Sequence, residues 1–299
     1  MAPMPDLEWL LVRTARHIAQ YRTAAAAGST FSPLDLDAVR AAVGGPLPEH
    51  PQAPDAVVDR LISGLEPASV ATTGPRYLGF VVGGALPAAT AADLLAVGWD
   101  QPAYNYLSSP AAAVVEEVAG AWLIDLLGLP AGATFGFVTG SQAAITVCLA
   151  AARHHVLAGA GAALARRLRP RVVPAGPGPG HVGRAAGAGT ARRRRSGRAV
   201  LRTGPALRRQ LQAVDGIAAA NRVVLNQVLV RFADDDAATD RVLDAVQRSG
   251  ECWMGATTWN GRRYMRISVS NHSTTDQDVD RAVRAIVDSY RSYRSGPRL

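Results

Sequence analysis

The chain has 299 residues, 48% of them hydrophobic and 19% charged, enough for one large core or two modest ones. It contains no apolar run long enough to span a bilayer, and Trp9-Leu10-Leu11-Val12 is too short and too flanked by charge for a signal peptide, so a cytoplasmic protein with no membrane partner is expected. Its formal net charge is +8, yet every one of the 32 Lys+Arg residues is arginine. Thirteen of them lie between Gly159 and Arg209, where no Asp or Glu occurs, so the rest of the chain is net negative. The two cysteines, Cys148 and Cys252, form neither a disulfide framework nor a metal-ligand spacing, and no metal is expected. Cys148 falls in an apolar helix and is expected to be a buried thiol.

Residues 6–26 predict an amphipathic helix with Leu7, Leu10, Leu11, Ile18 and Tyr21 on one side, ended by Gly28-Ser29. Ser32-Pro33 opens a short helix to Ala42, since proline suits a first helical turn. Pro54 starts another through Leu65, with Val57, Val58, Leu61 and Ile62 inward. Residues 74–85, GPRYLGFVVGGA, read as a loop with a short extended piece. Pro87 begins a helix to Trp99, and Ser109-Pro110 caps and begins a long one to Leu127 with Val114, Val118, Trp122 and Leu126 inward; Gly128-Leu129-Pro130 stops it.

The stretch GFVTGSQAAITVCLAAAR, Gly136 to Arg153, follows. It predicts a short buried strand at Thr134–Val138, a tight turn at Thr139-Gly140-Ser141 and a helix to about Leu157. Gly140 permits the sharp turn, and Ser141 or Thr139 can cap the helix. Free amides and the helix dipole at such a start favour a phosphate, although an ordinary capped connection has the same local pattern.

Residues 159–209 are Gly, Ala, Pro and Arg with no helical or strand period, and Arg192-Arg193-Arg194-Arg195 is a self-repelling block; poor order is expected. Order returns at about Leu207. Ala219 to Phe232 carries a strand signal in VVLNQVLVRF. Asp234-Asp235-Asp236 caps a helix from Ala237 to Ser249 that Gly250 ends. Cys252–Trp259 and Tyr264–Ser270 form a hairpin about Asn260-Gly261, and Thr274-Thr275 with Asp278 opens a last helix through Tyr290. Strand, helix, hairpin, helix is a small α+β unit.

Three blocks, GPRYLGFVVGGALPAATAADLLA, SSPAAAVVEEVAGAWLIDLLGLP and GFVTGSQAAITVCLAAAR, resemble the N-terminal half of the pyridoxal-phosphate-dependent amino-acid decarboxylases, the group of the aromatic-amino-acid and glutamate enzymes. VLNQVLVRF and RRYMRISVSNHSTTDQDVDRAVRAI are similar to the closing small domain of that group. The resemblance covers roughly residues 50–158 and 217–290. It implies an α/β protein: a fold type I large domain, incomplete here, and a small C-terminal α+β domain. The implied segments are a helical arm (1–50), the N-terminal part of the cofactor domain (51–158), the Arg/Gly/Ala/Pro-rich segment (159–209) and the small domain (210–299).

The same resemblance implies site residues. Gly140 and Ser141, with Thr139 and Gln142, stand where the group cups the phosphate of pyridoxal 5'-phosphate. Phe80 stands in the segment that lines the substrate side chain, and Arg266 where an arginine receives the substrate α-carboxylate, a bidentate fit that lysine does not give. A solvated arginine on a half-buried strand is the plain alternative for Arg266. His181 stands near the position of a histidine that stacks on the cofactor ring, but its Pro179-Gly180-His181-Val182-Gly183 setting favours a solvated loop histidine.

In the group a lysine holds the cofactor as a Schiff base and an Asp keeps its ring nitrogen protonated, so that the ring accepts the electrons released with carbon dioxide. Here no lysine exists, and no acid occurs between Leu126 and Val214. No catalytic residue is therefore assigned. The resemblance implies descent from a decarboxylase, with residues from about Arg171 to Arg209 reading like out-of-frame GC-rich DNA beside an internal deletion. Two other readings compete. One is a catalytically inactive chain that pairs with an intact decarboxylase, or as a homodimer, and holds the cofactor non-covalently at best. The other is polyanion binding through the arginines, disfavoured because the segment has no aromatic residue to stack on bases.

Overall fold

In a computed structural model, residues 7–32, 35–101, 106–130, 132–160 and 202–296 are described. The basic block at Arg192–Arg195, His181, and most of the segment expected to lack order lie outside these residues. The chain divides into two compact units, one of residues 1–84 with 195–299 and one of residues 85–194.

The first unit begins with helices α1 (Leu7–Ala27), α2 (Leu36–Val43) and α3 (Pro54–Leu65). Helix α2 starts later than Ser32-Pro33 suggests, because the Asp35 carboxylate accepts from the amides of Asp37 and Ala38 and caps it. After the loop through Gly84, the unit resumes with helix α7 (residues 202–212), then β1 (Ile217–Ala219) and β2 (Gln227–Phe232). Helix α8 (Asp236–Ser249), β3 (Gly255–Trp259), β4 (Arg262–Ser268) and α9 (Asp276–Ser295) complete it. The strands form one antiparallel sheet in the order β1-β2-β4-β3. Of the strand expected between Ala219 and Phe232 only Gln227–Phe232 forms, Ala219 being the end of β1; between them the Asn221 carboxamide accepts from the Leu229 amide and donates to the Gln227 carbonyl.

The core of this unit is continuous. Val228, Val230 and Phe232 of β2 meet Met265 and Ile267 of β4, with Val242 and Val246 of α8 and Ala282 and Ile286 of α9. Leu207, where order was expected to return, and Leu211 are fully buried in the same cluster; α7 starts at residue 202, within the stretch read as having no helical period. Each such side chain contributes roughly 1.5–3 kcal/mol on burial. The helix starts follow the sequence signals. The Asp235 side chain accepts from the amides of Ala237 and Ala238, and Thr275 and Asp278 form a reciprocal capping box. Asn260 and Gly261 both have positive φ, 48° and 73°, as the two-residue hairpin turn requires.

Arg76 ties the N-terminal helices to the sheet. It is 2% exposed, and its guanidinium donates to the carbonyls of Ala27, Gly28 and Glu251. Glu251 in turn receives Arg281 at 2.6 Å. Cys252 is the buried thiol of the protein; desolvation pushes its pKa up to about 12, so it stays protonated and inert. Cys148, expected inside, is exposed.

The second unit contains α4 (Pro87–Trp99), α5 (Pro110–Leu127) and α6 (Gly140–Ala160). Gly128 ends α5 in the left-handed conformation, as its position predicts. Ser109 does not cap α5 with its side chain; its hydroxyl is buried without a partner. The expected strand at Thr134–Val138 is not formed, and most of it is exposed. A strand needs a neighbour to take its amides and carbonyls, and the described residues supply none. The segment is held by side chains instead. The Phe137 amide donates to the Glu116 carboxylate, and the Phe135 ring lies on α5 so closely that a Cβ on Gly120 would fall 2.2 Å from it. The faces expected inward on α3 and α5 are largely open: Val57, Leu61, Val114, Val118, Trp122 and Leu126 are all exposed. The described sheet is therefore the antiparallel one; no parallel sheet is present among the described residues.

Candidate functional site

The expected site residues fall into two places, one in each unit. In the second unit, Thr139, Gly140, Ser141 and Gln142 form the turn into α6, and all four are exposed. Gly140 has φ +82°, a conformation that favours glycine, so the sharp turn read from the sequence is present. A Cβ built on Gly140 would meet nothing within 4 Å, which leaves open space over the turn. The first amides of a 21-residue helix have no intrahelical acceptors, and the helix dipole adds positive potential there.

In the first unit, the loop Gly74–Gly84 is stitched to the sheet. Trp253 donates its amide to the Arg76 carbonyl at 3.1 Å and accepts at its carbonyl from the Leu78 amide at 2.7 Å. The Ser268 amide then donates to the Leu78 carbonyl at 2.9 Å. The buried Asn271 donates to the carbonyls of Thr73 and Gly74 and accepts from the Ser273 hydroxyl and amide. Thr274 donates to the Pro75 carbonyl at 2.6 Å, and the His272 amide to the Gly83 carbonyl at 3.3 Å.

This loop presents Phe80, 63% exposed, beside Arg266 of β4. The Arg266 guanidinium carbon lies 6.0 Å from the centre of the Phe80 ring. Met265 and Ile267 on either side of Arg266 point into the core, so alternation along the strand puts Arg266 on the other face. Its Nε is buried without a hydrogen-bond partner, and no carboxylate among the described residues pairs with it. Phe80 and Arg266, more than 180 residues apart in sequence, are thus neighbours in space. The sequence reading missed Tyr77 and Trp253, which stack on each other with ring centres 4.9 Å apart, Phe80 stacking on Trp253 at 5.4 Å. The one available signal was an aromatic residue just ahead of a strand in Cys252-Trp253-Met254. Among the described residues no cluster of His, Cys, Asp or Glu is arranged to hold a metal ion, and no helix is long and apolar enough to cross a membrane.

No family model matches the chain. Over 116 residues it is 27% identical to tyrosine decarboxylase 1 of Narcissus pseudonarcissus, a match that takes in 37% of this chain and 22% of that enzyme. The chain thus spans about a fifth of the length of this curated relative. Solved structures share its fold at low identity. Oryza sativa TDC with PLP and tryptamine superposes with a TM-score of 0.82 at 14% identity, over 98% of this chain and 99% of that one. Catharanthus roseus tryptophan decarboxylase in complex with L-tryptophan gives 0.81 at 12%, over 98% and 100%. Mouse CSAD gives 0.74 at 10%, over 92% and 99%. The chain thus shares its fold with these solved decarboxylase structures and, over 116 residues, is similar in sequence to the narcissus enzyme.

Proposed function

We propose that this chain is a pyridoxal-phosphate-dependent amino-acid decarboxylase by descent that keeps a place for the cofactor's phosphate and none for its aldehyde. The observation that carries this is the open, glycine-led turn at Thr139–Gln142 in a chain without a single lysine. The two ends of the cofactor fare differently. A phosphate dianion suits the start of α6, where exposed amides and the hydroxyls of Thr139 and Ser141 can converge on it. The aldehyde requires a lysine amine, and the chain has no such side chain. The group therefore does not fit as a covalently held cofactor.

On this reading residues 51–158 are the remaining part of the cofactor domain, and residues 210–299, with α7, are the small domain. Arg266 is the receptor for a substrate carboxylate and Phe80 the wall beside it. Their proximity and the unpaired guanidinium support those roles. The exposed apolar faces of α4 and α5 favour a protein that does not work alone, either as a homodimer or paired with a related intact chain in the cytoplasm. The first test is an absorption spectrum with added pyridoxal phosphate before and after borohydride. We expect all cofactor to leave on dialysis, with no reduced adduct on any side chain. A side-chain adduct retained through dialysis overturns the proposal. Co-purification with a full-length decarboxylase tests the pairing; a chain that stays monomeric at every concentration rejects it.

A further inference from the structure

We infer that Trp253 is a positioning residue that sets both Phe80 and Arg266 toward a ligand; this rests on the reading of those two as ligand-facing. The argument begins with the backbone. Phe80 and Val81 are consecutive non-glycine residues with positive φ, 49° and 61°. For a β-branched residue such as Val81 that is an outlier, and such strain persists only where the surroundings over-determine it.

The surroundings converge on one side chain. Trp253 stacks on Phe80 at 5.4 Å with 29° between planes, and on Tyr77 at 4.9 Å with 12°. Its ring lies against the backbone at Gly79, where a Cβ would fall 2.1 Å from Cζ3. Its main chain bridges to Tyr77 and hydrogen-bonds to both Arg76 and Leu78. A Cβ built on Gly255 would lie 4.0 Å from the same ring atom, and Gly255 is the residue paired with Arg266 across the hairpin. One indole thus packs on the strained turn that presents Phe80 and lies near the strand position paired with Arg266.

A stack that served only to fill the core would leave no half-open aromatic and no unpaired cation at its end. Here the ring farther from the core is 63% exposed, and the guanidinium beside it has no acidic partner among the described residues. Phe80 offers an apolar wall and Arg266 a carboxylate receptor. Trp253 holds the distance between them.

The test uses the full chain and 3-phenylpropionate, a carboxylate on an aromatic body, as the calorimetric probe. The wild type is expected to bind it, and R266M to lose binding. W253A is expected to weaken binding about five- to ten-fold, the scale of losing aromatic stacking contacts. W253F, which keeps a ring, is expected to stay within about three-fold of wild type. If W253A does not fold, W253L keeps the bulk without the ring and takes its place; the loss must then appear at a temperature where thermal melts show both proteins folded. Binding by W253L or W253A equal to wild type overturns the positioning role while leaving the reading of Arg266 intact. So does equal weakening by W253F and W253L. No binding by the wild type overturns the ligand-facing reading itself, and the positioning role with it.

Discussion

The second unit of this protein is the more apolar in sequence, yet the first has the larger core. In the first, four antiparallel strands and three helices seal a core in which Val230, Phe232, Met265 and Ile286 reach zero exposure. In the second, helices α4, α5 and α6 bury little more than Ala89, Ala119 and Gly120 and leave Leu94, Trp99, Trp122 and Ile145 open. A helix with one apolar stripe is satisfied by one neighbour, whereas a helix apolar on most sides needs several. Helices α8 and α9 are of the first kind and have the sheet; α4 and α5 are of the second, and the described residues provide no sheet for them. Hydrophobicity alone therefore does not make a core; the layer against which it packs must also be present.

Paired substitutions test that contrast, beginning with the largest effect. Phe232→Ala should destabilise the first unit by about 3–5 kcal/mol, whereas Trp122→Ala in the second should cost less than about 1 kcal/mol. Urea unfolding followed by circular dichroism measures both, and equal costs would break the comparison. Next come two glycines. Gly79→Ala forces a methyl against the Trp253 ring and should cost about 1–3 kcal/mol. Gly136→Ala in the second unit meets nothing within 4 Å and should be close to neutral in the same unfolding experiment.

Helix starts give a smaller contrast. Asp235→Ala removes a working cap from α8 and should cost about 1 kcal/mol. Ser109→Ala at the start of α5 removes a buried hydroxyl that bonds to nothing, so thermal melting should be unchanged or slightly raised.

The smallest effect is in acid, where the units respond with opposite sign. The Asp236 carboxylate is held below its usual range by the Arg263 amide and then by the Arg231 guanidinium. Its contribution is present above the unfolded carboxylate pKa and is lost as pH falls through the lower folded value. Desolvation raises Glu116 despite the Phe137 amide that opposes it. Its native form takes up a proton first, so acid through that raised pKa favours the second unit. Asp236→Asn should flatten the acid loss of the first unit, and Glu116→Gln should remove the acid gain of the second. Melts from neutral pH to pH 3 decide; changes of the same sign in the two variants reject the assignment.

What could be read from the sequence was local. The cap at Thr275 with Asp278, the glycine at 128 and the Asn260-Gly261 turn each specify a conformation through one or two residues, and each is where it was expected. Gly140 shows its left-handed turn for the same reason. Buried faces were less legible, because burial depends on a partner. The apolar piece at Thr134–Val138 reads as a strand only if another strand lies beside it, and Cys148 reads as buried only if something covers α6. Order was expected to return at about Leu207, but the burial of Leu207 and Leu211 depends on a sheet that begins after them. The nearness of Phe80 to Arg266 rests on hydrogen bonds between Leu78, Trp253 and Ser268, which no local pattern announces.

The Asn260-Gly261 turn has one further effect. A hairpin assigns side chains to faces by parity: counting from the turn, Arg262, Tyr264, Arg266 and Ser268 share one side of β4, and Arg263, Met265 and Ile267 the other. A two-residue loop leaves that count no freedom, and the pairs Trp259 with Arg262 and Gly255 with Arg266 follow from it. One residue added to or removed from the turn that shifts the pairing would exchange the two sides, pushing a guanidinium among Val228, Val230 and Ile286 and bringing Met265 out beside Phe80. Two small residues at a loop tip thus decide whether the Arg266 guanidinium lies beside Phe80 or inside the core.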